Sequence, residues 1–93
     1  MPASSDPAAT IAAADVVLPA NLHARPAGQL AQAAARFRSA VTLRYQDRTA
    51  NAAGILAVLG LGATAGATVT LHAEGPDAGQ AVEALTRILA EAE

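Results

Sequence analysis

The chain has no cysteine, no lysine and no tryptophan, and only one residue each of Phe, Tyr and Met. Each shortage removes a class of function. Without cysteine there is no disulfide scaffold, no Cys-ligated zinc and no thiol chemistry. Six arginines against eight acidic residues leave a net charge of −2. Nucleic-acid binding instead requires a basic patch to neutralise phosphates. Phe37 and Tyr45 are too few for a base-stacking platform. No apolar run reaches the roughly 18 residues required to cross a bilayer, so no membrane insertion is expected. Residues 1–14 carry no basic residue and no long apolar stretch, so they do not read as a secretory signal. The expected location is the cytoplasm.

What is present amounts to one small domain of 93 residues. The apolar fraction of 53% overstates the core, because alanine supplies 27 of those 49 residues. Leu, Ile, Val and Phe number 20, enough for one compact core and no second one.

Residues 1–12 hold two prolines, two serines and few large apolar groups, and read as an N-terminal extension outside the core. The domain is expected over 13–93. Asp15 to Leu18 reads as a first strand ended by Pro19. From about Ala24 the pattern turns helical, with Ala27, Leu30, Ala31, Ala34 and Phe37 spaced by three and four. Pro26 suits a first helical turn, where its missing N–H is not needed. Gly28 costs this helix about 1 kcal/mol relative to Ala.

Ala40 to Tyr45 alternates as a half-buried strand, with Val41, Leu43 and Tyr45 on one face. Gln46-Asp47 is a polar turn, and 48–50 a returning strand. Residues 55–61 read as a short helix with a Gly cap, and 67–73 as a strand with Val69 and Leu71 inward. Asp77 and Gln80 have capping-box spacing before the stripe Val82, Leu85, Ile88, Leu89. The order is β-α-β-β-α-β-α. Strands with one apolar face need cover on one side only. The expected architecture is an α+β open-faced sandwich: a four-stranded, mostly antiparallel sheet with three helices on one face.

The chemistry concentrates in 21–27, Asn-Leu-His-Ala-Arg-Pro-Ala. A helix starting near Ala24 places His23 at or beside its N-cap. Unpaired backbone N–H groups and the positive end of the macrodipole gather there and favour anions. Arg25 can bring a planar guanidinium to a phosphate held at that point. A ring-nitrogen nucleophile, an anion cradle and a fixed charge are the parts that phosphoryl transfer to histidine requires. On spacing alone an alternative stays open, in which His23 only caps the helix and Arg25 is a solvated surface charge. His72 reads as a solvated residue on the outer sheet face. No ligand set accompanies His23 at i, i+4, so no metal is expected. No cofactor is implied either. Ser39, the one serine beyond the first five residues, has no nucleophile elbow around it.

Leu-His-Ala-Arg-Pro-Ala (22–27) resembles the active-site signature of HPr, the histidine phosphocarrier family of the phosphoenolpyruvate-dependent sugar phosphotransferase system. Residues 51–62 resemble that family's second-helix segment, and 64–71 its following turn and last strand. The resemblance runs from about Val16 to Glu93 and implies the same open-faced sandwich. It implies that His23 accepts phosphate on Nδ1 from enzyme I and passes it to enzyme II A components, with Arg25 stabilising the phosphate. A docking surface beside His23 is implied at Leu22, Ala24, Ile55, Leu56 and Leu59. Glu93 resembles the family's C-terminal glutamate, whose carboxylates can lie near the active site.

Three departures from the family pattern matter. Gly54 stands where a serine, a target of a regulatory kinase in some lineages, is usual; no regulatory serine is therefore expected. Asn21 replaces a common glycine before Leu-His, and Asn tolerates a left-handed backbone nearly as well. The family's lysines along the first two helices are absent, with Gln32, Ala35, Ala53 and Ala57 near their positions. Docking is therefore expected to rely less on electrostatic steering.

The sequence thus reads as a monomeric phosphoryl carrier of the phosphotransferase system, not an enzyme in the turnover sense. Alternatives are a regulatory or dihydroxyacetone-kinase-branch carrier on the same chemistry, and a non-phosphorylated binding module. The paired His23 and Arg25 weigh against the last, since a pure binding module has no use for a nucleophile.

Overall fold

The computed structural model describes residues 10–93. The elements are β1 (Thr10–Val17), α1 (Ala24–Ala34), β2 (Ala40–Tyr45), β3 (Arg48–Asn51), α2 (Ile55–Leu59), β4 (Thr68–Gly75) and α3 (Ala78–Ala90). The four strands form one sheet in the order β1-β4-β2-β3, with every neighbouring pair antiparallel. This is the expected open-faced sandwich.

Alternation in the strands sets which face is covered. Val16, Val41, Leu43, Val69, Leu71 and Ala73 turn inward and are buried, while Arg44 and His72 are exposed on the other face. The helices cover the inner face: α3 lies over β1 and β4, α1 packs on α3, and α2 sits beside α1 and β3. Leu18, Leu30, Leu43, Leu71, Leu85 and Leu89 are fully buried. Each contributes about 1.5–3 kcal/mol of transfer free energy, so a handful of leucines holds a chain whose alanines add little apiece. Among the described residues no helix is long and apolar enough to cross a membrane.

Strand β1 begins earlier than the sequence suggests. Thr10, Ile11 and Ala12, expected within the extension, pair with Gly75, Glu74 and Ala73 of β4. Pairing needs only backbone groups, and the alanines here carry no alternation to signal it. Residues 1–9, the rest of that expected extension, lie outside the described residues. Helix α2 is shorter than expected, ending at Leu59, with Gly62 at φ 70° completing the turn beyond it.

Asp77 occupies the N-cap of α3 but makes no side-chain cap bond, contrary to the capping box expected from its spacing to Gln80. Its carboxylate is taken by the loop between α1 and β2 instead. It accepts the Ser39 hydroxyl at 2.6 Å and the backbone N–H groups of Arg38 and Ser39 at 2.9 Å each. Gly75 makes room for this clamp: a Cβ there would lie 2.6 Å from Ser39 Cα, and its φ of 153° suits only glycine.

The Ser39 hydroxyl, and then the Arg38 N–H, hold the Asp77 carboxyl below its ordinary 3.8. A folded-state pKa lowered in this way contributes stability that is complete above the ordinary carboxylate range and is lost as pH falls through the folded value. Asp77→Asn should therefore lower the melting temperature at pH 7. Its deficit should shrink as pH falls towards 2. Thermal melts at the two pH values check this, and a deficit independent of pH would rule the clamp out.

Candidate functional site

The loop from Leu18 to His23 is stitched to the chain just ahead of β4. Leu18 donates to Ala67 O at 2.9 Å, Gly66 donates to Leu18 O at 2.8 Å, and Leu22 donates to Ala63 O at 3.0 Å. Leu22 is only 5% exposed and belongs to the core. It is therefore not part of a docking surface, contrary to expectation. An apolar loop side chain has only one dry direction available here, and that direction is down into the sandwich. Its burial turns its neighbour His23 outward.

His23 is the N-cap of α1, with extended backbone (φ −92°, ψ −166°) and no side-chain cap bond. The imidazole, exposed, is thus not spent on capping. The first intrahelical bond runs from Ala27 N–H to His23 O at 3.0 Å. The N–H groups of Ala24 and Arg25 precede it and remain as the anion-binding donors of the helix start. Pro26, fully buried, supplies no third donor but fixes the first turn.

The other side of the site comes from the segment that follows α3. His23 Nε2 lies 3.1 Å from the main-chain oxygen of Glu93. An oxygen of that kind can only accept, so Nε2 is the donor in this contact, and a neutral ring making it has its lone pair on Nδ1. Glu93, expected near the site, makes this contact through its main-chain oxygen. Arg25 is exposed and lines an open cleft with Pro26, Gln29, Ile88, Glu91 and Glu93. The exposed His23 ring and the exposed Arg25 side chain thus stand two residues apart at the start of α1, with Glu93 against the ring and in the cleft that Arg25 lines. No group of three or more potential metal ligands occurs among the described residues.

Beside this lies an apolar patch. Leu56 is 80% exposed and Ile55 39% exposed, Leu59 is half-buried, and Ala24 is exposed. Ile55 rests on α1 at Gly28, where a Cβ would touch Ile55 Cδ1 at 3.5 Å. That is ordinary van der Waals contact, so alanine would fit at position 28 and the space there does not require glycine. Gly54, the N-cap of α2, has φ −103° and room for a Cβ, so no steric demand excludes a serine there. His72 stands on the outer sheet face, away from α1.

Asn21, read from the sequence as a stand-in for a left-handed glycine, has a different role. Gln46 is the one non-glycine residue at positive φ among those described. Asn21 instead uses its side chain, whose Oδ1 accepts the Ala65 N–H at 2.8 Å. Nothing in the local sequence signals a bond across 44 positions.

Comparison with known proteins bears on this arrangement. A family model, PTS-HPr, described as the PTS HPr component phosphorylation site, matches residues 11–91. A phosphocarrier protein HPr from Lysinibacillus sphaericus is 45% identical over 76 residues, covering 82% of this chain and 86% of that one. The crystal structure of an HPr from Bacillus anthracis superposes with a TM-score of 0.80 at 32% identity, covering 86% of this chain and 98% of that one. The solution structure of Crh, the Bacillus subtilis catabolite repression HPr, gives a TM-score of 0.74 at 34% identity, covering 90% and 100%.

Proposed function

This chain belongs to the HPr family of phosphotransferase-system phosphocarriers, and we propose that His23 Nδ1 is its phosphoryl acceptor. The observation that carries this is the Nε2 contact with Glu93 O: a neutral ring donating there has the lone pair of Nδ1 free at the start of α1. The lone pair of Nδ1 forms the bond to phosphorus as the donor's bond to phosphorus breaks, and no proton has to leave the ring first. Nε2 keeps its proton, and the Glu93 oxygen stabilises the positive charge that the ring gains. The N–H groups of Ala24 and Arg25, with the Arg25 guanidinium, neutralise the phosphoryl oxygens.

Enzyme I is the donor and enzyme II A components are the acceptors in this reading. Both dock on Ala24, Ile55, Leu56 and Leu59 beside His23, in the cytoplasm. The chain acts as a carrier whose phosphohistidine form is the intermediate, and it turns over only through its partners. A kinase acting on the second-helix segment would find no hydroxyl: residues 51–62 contain no Ser, Thr or Tyr.

The test is incubation with phosphoenolpyruvate and catalytic enzyme I, followed by intact-mass and peptide mass analysis. One phosphate on the peptide bearing His23, lost on mild acid treatment, is expected. Protonating the phosphoramidate makes imidazole a good leaving group. An unmodified chain, or phosphate on a peptide without His23, would overturn the assignment.

A further inference from the structure

The backbone between Pro19 and His23 needs a fixed course if the ring is to meet a donor in one orientation. Leu18 and Leu22 are each held by backbone bonds to the 63–67 segment, at 2.8–3.0 Å. Pro19 has no N–H to contribute. Between those anchors, the bond from Ala65 N–H to Asn21 Oδ1, at 2.8 Å, is the tie that holds the middle of the loop. Only the carbonyl oxygen of an Asn side chain can accept, so the amide orientation follows from the bond itself.

The same residue reaches the acceptor through its backbone. Asn21 O accepts the His23 N–H at 2.9 Å, closing a tight turn onto the N-cap residue. One end of Asn21 therefore grips the turn before β4, and the other sets the backbone of the residue that carries the nucleophile. A glycine at position 21 would keep the turn and lose the grip.

Taking His23 as the phosphoryl acceptor, we infer that Asn21 is a positioning residue for transfer. Its Oδ1, bonded to the Ala65 N–H, fixes the loop that aims Nδ1. It touches neither phosphate nor ring and acts through backbone geometry alone. Displacement of a reacting nitrogen by a fraction of an ångström slows transfer without weakening partner docking.

The experiment is single-turnover phosphorylation of the full chain by phosphorylated enzyme I, with amide exchange of Ala65 followed by NMR. Asn21→Ala should lose protection at Ala65 and lower the maximal transfer rate about tenfold. The half-saturating concentration and the melting temperature should stay close to those of the parent. Asn21→Asp keeps the acceptor oxygen. Assayed at high salt, where its added charge is screened, it should restore both Ala65 protection and rate. Asn21→Ala transferring at the parental rate would overturn the inference, as would Asn21→Asp regaining protection without rate. Failure of the parent chain to take phosphate would overturn the acceptor assignment itself, and it would be seen before any substitution is compared.

Discussion

His23→Ala is expected to take no phosphate at all from phosphoenolpyruvate and enzyme I, while folding as the parent does. The two halves of that result have separate causes. Labelling disappears because the site offers no second nucleophile: the other histidine, His72, stands on the outer sheet face. Stability persists because the imidazole is exposed and makes no cap bond to its own helix. An exposed substitution of this kind changes stability by no more than about 0.5 kcal/mol. The loss of the Nε2 contact with Glu93 O should be felt only in the segment that follows α3. His72→Ala is the matched control and should label normally. Phosphate on His23→Ala but not on His72→Ala would reverse the assignment of the two histidines.

The second large effect belongs to Arg25. Arg25→Ala should still accept phosphate on His23, but with a maximal rate reduced on the order of 10²-fold. The phosphoryl group in flight carries its charge on three peripheral oxygens, and two backbone N–H groups cannot neutralise them alone. Helix α1 contributes only those of Ala24 and Arg25 before its first internal bond, because Pro26 has none. The side chain of Arg25 therefore carries more of the burden than it would at a helix start with three donors. Arg25→Lys should recover part of the rate, since an ammonium restores charge without the planar fork. Stopped-flow transfer rates for the three proteins check the order Arg above Lys above Ala. Equal rates for Arg25→Lys and Arg25→Ala would show that charge at this position does not assist transfer.

Much of this is legible in the sequence. The 3.6-residue spacing from Ala24 placed α1 and hence His23 at its N-cap. Alternation over 40–45 placed β2 to the residue. These features are local, written in the periodicity of a single element. What was not legible depends on contacts between distant segments. Thr10 to Ala12 join the sheet through backbone pairing with β4, which small side chains do not announce. Asp77 sits at capping-box spacing, yet its carboxylate turns to Arg38 and Ser39, 39 and 38 positions away. Leu22, flanked by two exposed residues, gave no periodic signal of its burial. Asn21 was readable only as a conformational substitute, because its partner Ala65 is brought near by the fold. The signature around His23 identified the family. The contact of its Nε2 with Glu93 O comes from the segment after α3, which the signature does not include.

The central claim is that phosphate enters at Nδ1 of His23 while Nε2 keeps its proton against Glu93 O. The direct measurement is a long-range phosphorus–proton and nitrogen–proton NMR spectrum of the phosphorylated, nitrogen-15-labelled chain, which identifies the ring nitrogen bonded to phosphorus. Phosphorus attached at Nδ1 of His23, with a protonated Nε2, is the expected result. Phosphorus at Nε2, or on any residue other than His23, would contradict it.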